Sequence, residues 1–202
     1  MEDKLAITEV VQKWVVWRDT GDWERFRTVW HSDGWMSATW FQGPAEAFIE
    51  ASKAGHGKGV SVQHVLGGSA VDVTGNRGIA HTRMTIHLRA TIGGVLVDVA
   101  CIGRFYDFFE KREGRWAIVR RQGVYDQDRI DAVEPGAELN LDRARLVQFP
   151  AGYRHLAYLQ TELGLAVKRD MPQLKDDAVQ AVYAQGTQWL AGAASAFPAA
   201  RH

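Results

Sequence analysis

The 202-residue chain has a single cysteine, Cys101, lying in an apolar, strand-like run. One thiol excludes a disulfide framework, a Cys-x-x-Cys redox pair and a thiolate metal centre. The chain also lacks an excess of either charge, since 24 Lys and Arg are matched by 24 Asp and Glu. Phosphate neutralisation needs clustered positive charge, so nucleic acid is not an expected partner. Even the most basic stretch, "RRQGVYDQDR", is interrupted by its own aspartates. No window approaches the roughly 20 apolar residues that cross a bilayer. The opening "MEDKLAITEV" has no basic segment followed by an apolar one, so neither membrane nor export is expected and a cytoplasmic location is the reading. A Gly-rich phosphate loop and a metal-ligand cluster are both missing from the pattern, so no cofactor and no metal are expected. Internal repeats and low-complexity tracts are absent too.

What the chain does have is apolar residues at 46%, enough for a core of ordinary size. Eight tryptophans are present, five of them (Trp14, Trp17, Trp23, Trp30, Trp35) within the first 35 positions. Such a cluster packs a core or walls an apolar ligand pocket.

Periodicity divides the chain into a helical opening, a long strand-rich middle and a helical end. Residues 3–18 read as an amphipathic helix with Leu5, Val10, Trp14 and Trp17 on one stripe. Gly21 ends it, and Asp22 caps a short second helix. "GWMSATWFQG" has strand composition, and "PAEAFIEASKAG" reads as a helix opened by Pro44 and closed by Gly55. Four strands follow: "SVQHVLGGSAVDV", "GIAHTRMTIHLRA", "LVDVACIGRFYDFFEK" and "WAIVRRQGVYDQ". Gly-Gly in "TIGGVL" and the turn "REGRW" join them as hairpins. Gly67, Gly68, Gly103 and Gly123 predict bulges that curl the sheet. Residues 129–150 read as an irregular connection, then "GYRHLAYLQTELG" and "LKDDAVQAVYAQGTQWLAG" as two helices, and "AASAFPAARH" as a frayed end. Helices packed on one face of a curved antiparallel sheet make an α+β protein. The division is residues 1–128 as the α+β domain and 129–202 as a largely helical extension.

Helix, short helix, strand, helix and then a curled four-stranded sheet is the order of elements in the NTF2-like (SnoaL-like, cystatin-like) superfamily, which residues 3–128 resemble. Three places are similar to the hexachlorocyclohexane dehydrochlorinase and scytalone dehydratase group. "AITEVVQKWVVWRD" ends in Asp19, where that group has a catalytic aspartate. "VSVQHVLGG" places His64 at its catalytic histidine, and "EKREGRWAIVRRQGVY" places Arg121 at a functional arginine. The match has gaps: Trp14 stands in place of a lysine, and no tyrosines correspond to those that grip scytalone. The resemblance implies a conical fold, no cofactor, a hydrophobic small-molecule substrate, and a homodimer or homotrimer.

Chemically, a neutral His64 can take a proton near physiological pH. Asp19 can fix its tautomer, and Arg121 can stabilise a developing anion. These roles suit a cofactor-independent lyase that performs β-elimination on a cyclic or aromatic compound. Two alternatives remain: an isomerase or cyclase like the ketosteroid isomerases and polyketide cyclases, and a non-catalytic binding or assembly subunit. Trp14, Trp40, Phe105 and Tyr125 are candidate substrate-binding residues: Tyr125 shares a strand face with Arg121 and can donate a hydrogen bond at the pocket mouth, while Trp40 and Phe105 are pocket-wall candidates for which core packing is the favoured reading. Among other polar residues, Asp98 and Arg104 share a strand face and are expected to pair. His81 and His87 fall on a polar strand face, in solvent or at a subunit contact, and His31 reads as a loop residue.

Overall fold

A computed structural model describes residues 1–57 and 59–193. The helix α1 (Glu2–Thr20) is followed by α2 (Trp23–Arg27), and Gly21 between them takes φ 75°, a conformation that suits glycine. Asp22 caps α2, its side chain accepting the Arg25 N–H at 3.3 Å. Strands β1 (Trp30–Ser37) and β2 (Gln42–Pro44) form a small hairpin ahead of α3 (Ala45–Gly55). Pro44 is the residue preceding α3 rather than a member of its first turn. Four long strands come next: β3 (Ser61–Thr74), β4 (Arg77–Ile92), β5 (Val95–Arg112) and β6 (Arg115–Ala132). Left-handed pairs at Gly93–Gly94 and Glu113–Gly114 close the last two hairpins.

The strand order is β2-β1-β6-β5-β4-β3, and the sheet is open. It is mixed rather than wholly antiparallel, because β1 runs parallel to β6. Two register shifts fall where glycines suggested them, between Leu66 and Ser69 and between Ile102 and Gly103. A Cβ on Gly103 would collide with the Val124 carbonyl, so the bulged strand β6 comes this close only because the side chain is missing. Gly123 sits in regular pairing with Phe105, and the second shift between β5 and β6 falls between Phe108 and Phe109 instead.

The face that α1 buries carries Ile7, Val11, Trp14 and Val15, while Leu5 is 65% exposed. The stripe is therefore rotated from the expected one, since i, i+4, i+7 and i+8 from Ile7 is the set that meets the sheet. β6 runs on to Ala132, into the stretch expected to be irregular, because Ile130 still packs on the concave-side core. After α4 (Arg143–Leu146) and a 3-10 turn (Ala151–Tyr153), α5 (Arg154–Glu162) buries Leu156, Ala157 and Leu159 in that same core. Helix α6 (Asp177–Leu190) takes the opposite face, where Val182 and Trp189 pack on Ile79, Tyr106, Phe108 and Val119. The expected frayed end lies, from residue 194 onward, outside the described residues.

Candidate active site

The last turn of α1 brings Asp19 against the edge strand β3. Its Oδ1 lies 2.8 Å from His64 Nδ1, and its Oδ2 accepts the His64 main-chain N–H at 2.6 Å. Accepting from Nδ1 fixes the proton there and leaves Nε2 with a lone pair. Burial pushes the Asp19 carboxyl up, but the His64 ring, Arg18 and the His64 main chain together carry it below the usual carboxylate range. Burial also pushes the imidazole down, reinforced by Arg18 and Arg121, against the pull of Asp19. The pair is thus an ionised carboxylate holding a neutral imidazole at pH 7.

Arg121 on β6 belongs to a second buried pair. Asp107 on β5 accepts from its Nε and Nη2, both at 2.7 Å, and both side chains are fully buried. Burial lifts the Asp107 carboxyl above its ordinary range while Arg121 opposes the shift. The Arg121 guanidinium is sandwiched, its Cζ 4.2 Å from the Trp14 ring centroid and 3.9 Å from that of Phe105. The same two rings flank His64, at 5.4 and 5.9 Å between centroids. The two dyads therefore meet across one aromatic wall, with Arg121 Nη1 buried and without a hydrogen-bond partner.

Cross-strand pairing sets His64, Ile86, Cys101 and Asp128 side by side in one row. Ile86 has strands on both sides and packs with the concave-side core, yet it stays half-buried, as do Val62 and Leu66 beside His64. The apolar side chains beside the imidazole on this face thus keep part of their surface exposed, while the imidazole itself is only 7% exposed. Two depressions of about 530 and 830 Å³ lie elsewhere, one beside Arg145 and Phe149 and one on the convex face beside Val65, His81 and Ile102.

Other anticipated residues are placed as follows. Trp14 and Phe105 contact the site through their rings. Trp40 is set apart, against Phe41 and Phe48 at 5.8 and 5.5 Å. Tyr125 is fully buried, its hydroxyl accepting the Thr39 N–H at 3.2 Å, and burial raises its pKa. Asp98 pairs with Arg89 directly across from it on β4, at 2.7 and 2.6 Å, and not with Arg104, which pairs with Asp126. Opposed residues on neighbouring strands are closer than residues six apart on one strand. His81 is covered by α6 and stacks near Tyr106 and Tyr183, whereas His87 is exposed. His31 lies in β1 with Nε2 2.9 Å from the Glu110 carbonyl.

Asp107 was not singled out by sequence reasoning, though a partial signal existed: an acid inside the apolar "RFYDFFE", if it faces the core, needs a buried cation beside it. A second histidine pair was also missed. Asp128 on β6 lies 2.8 Å from His155 Nδ1 and accepts the Leu156 N–H at 2.7 Å, fastening the start of α5 to the sheet. Among the described residues no group of three His, Cys, Asp or Glu could hold a metal ion, and no helix is long and apolar enough to cross a membrane.

The likeness to known proteins agrees with this architecture. Residues 1–122 match the model of the SnoaL-like domain family. Pea pathogenicity protein 2 of Fusarium vanettenii is 34% identical over 174 residues, covering 84% of this chain and 75% of that protein. A PEP2-like protein of the same fungus is 32% identical over 201 residues, covering 94% and 86%. Among solved structures, a hexachlorocyclohexane dehydrochlorinase superposes with a TM-score of 0.58 at 10% identity, covering 69% of this chain and 96% of that one. At that identity the likeness is one of fold, a fold that includes dehydratases and isomerases, often binds small hydrophobic ligands and often assembles into oligomers. The chain belongs to the SnoaL-like family of NTF2-fold proteins.

Proposed function

We propose that the protein is a cofactor-independent lyase that performs β-elimination on a hydrophobic cyclic or aromatic compound. One observation carries the reading: Asp19 holds both Nδ1 and the main-chain N–H of His64, leaving a neutral, fixed Nε2 as base. His64 Nε2 takes the proton from a C–H bond, whose electron pair forms the new double bond as the neighbouring group leaves with its own pair. Asp19 stabilises the resulting imidazolium. Arg121 Nη1, turned toward no acceptor of the protein, faces the negative charge that develops. The imidazolium then returns its proton to the departing group or to solvent. Trp14 and Phe105 supply the apolar wall. A homodimer or homotrimer is part of the same proposal.

A carboxylate-based isomerase is the weaker reading, since Asp19 is committed to His64 and Asp107 to Arg121. A binding or assembly subunit has no need of a histidine so held beside a buried guanidinium nitrogen that lacks an acceptor. The decisive experiment sets wild type against His64→Ala and Asp19→Asn on a panel of hydroxylated and halogenated ring compounds. Elimination is expected from the wild type and is lost in both variants. Activity that survives both removes the assignment, and proton exchange without loss of a group favours the isomerase.

A further inference from the structure

Arg18 stands immediately before Asp19 and has no part in the chemistry above. Its side chain is only 12% exposed, and its Nη1 approaches Asp19 Oδ1 at 3.3 Å. That oxygen already accepts from His64 at the shorter distance of 2.8 Å, so Arg18 holds the lesser share of it. The Arg18 Nε is buried and has no acceptor at all. Two more buried donors are equally unmatched, Trp14 Nε1 and Arg121 Nη1, on residues that touch the His64 ring or lower its pKa by their charge. Buried N–H groups without acceptors are rare in folded proteins, and a charged one is the costliest to leave so. Others lie elsewhere, on Trp30 and Arg104, but three belong to residues that act on the Asp19–His64 pair by ring contact, ion pair or field.

The imbalance has a direction. Arg18, Arg121 and Trp14 can only donate, and Nε2 of His64 is reserved for the proton it removes. Charges in the site cancel, with Asp19 against Arg18 and Asp107 against Arg121. An incoming anion therefore meets no net repulsion, while three N–H groups await oxygen acceptors. A halogenated hydrocarbon offers none.

We propose that Arg18 is a substrate-binding residue that receives an anionic oxygen, so that the site selects ring compounds bearing a carboxylate or phenolate over neutral ones. This rests on the lyase reading for the identity of the pocket, but ligand preference is read by binding alone. Calorimetric titration of the full chain compares 2-naphthoate with 2-acetylnaphthalene, a neutral compound of the same ring size. The expected result is at least tenfold tighter binding of 2-naphthoate, with that advantage lost in Arg18→Met and the ketone's affinity changed less than twofold. Arg18→Lys, which keeps the charge but not Nε, restores part of the preference and serves as a second variant if Arg18→Met folds poorly. Equal binding of both compounds, binding of neither, or an equal weakening of both by Arg18→Met overturns the proposal. His64→Ala separates the two ideas: turnover retained in that variant defeats the lyase reading, whereas the preference for naphthoate is expected to persist in it.

Discussion

Asp19 and Asp128 use the same grip on two different histidines. Each carboxylate meets a ring Nδ1 at 2.8 Å with one oxygen and takes a main-chain N–H with the other, at 2.6 and 2.7 Å. The surroundings then diverge. His64 is walled by Trp14 and Phe105, lies in the field of two guanidinium groups and has a side chain only 7% exposed. His155 is a quarter exposed on the first turn of α5, and the second bond of Asp128 is to the helix itself. The dyad is thus one piece of geometry with two uses: in one place it fixes the tautomer of a buried imidazole, which the proposed mechanism uses as its base, and in the other it anchors a helix. What separates them is burial, neighbouring charge and the unpartnered donors nearby.

The comparison is broken most forcefully by removing each imidazole. His64→Ala is expected to lower kcat/KM for elimination by about 10²- to 10⁴-fold, the usual worth of a general base. His155→Ala should change it by less than about threefold, with assays of both variants on one substrate as the check. Next in size is the buried ion pair beneath the aromatic wall. Asp107→Asn leaves Arg121 buried and unpaired and should cost about 3–5 kcal/mol in chemical denaturation. Asp128→Ala, which strips acceptors from His155 and Leu156, should cost only about 1–3 kcal/mol and leave turnover nearly intact.

The pH response sharpens the contrast further. His64 titrates below its unfolded value of 6.5 because burial disfavours the imidazolium. The unfolded chain therefore binds more protons in the window just below pH 6.5, and stability falls as pH drops through it. Replacing His64 with Asn should flatten that part of the stability profile, as measured by melting temperature against pH. In the wild type, the acid limb of kcat/KM should fall below pH 6.5 for the same reason.

Much of the fold was legible because its signals are local. The Gly93–Gly94 and Glu113–Gly114 turns, the Asp22 cap and the alternation in β4 each follow from a few adjacent residues. The parallel contact of β1 with β6 was not, since it depends on how far the sheet curls. The rotation of α1 had the same cause, being decided by the concave surface it meets. Within the site, it was the family resemblance that paired Asp19 with His64; taken alone, they read as a helix-end residue and a strand residue, and their contact is made only by packing α1 on the edge strand. Asp107 was missed because a charged residue inside an apolar run can end at a surface or in a core, and only pairing with Arg121 decides. His155 lies where the family likeness ends, so nothing in the sequence tied it to Asp128.

The bond from the His64 main chain to Asp19 has a consequence apart from chemistry. β3 is the outermost strand on its side of the sheet, and the His64 N–H is turned away from β4 toward helix α1. An unpaired strand margin with open N–H groups is a template on which other chains can add. Asp19 occupies that position with a negative charge that an approaching strand would have to displace. The carboxylate thus doubles as a guard against aggregation, and a variant that loses it should be harder to keep in solution even where it still folds.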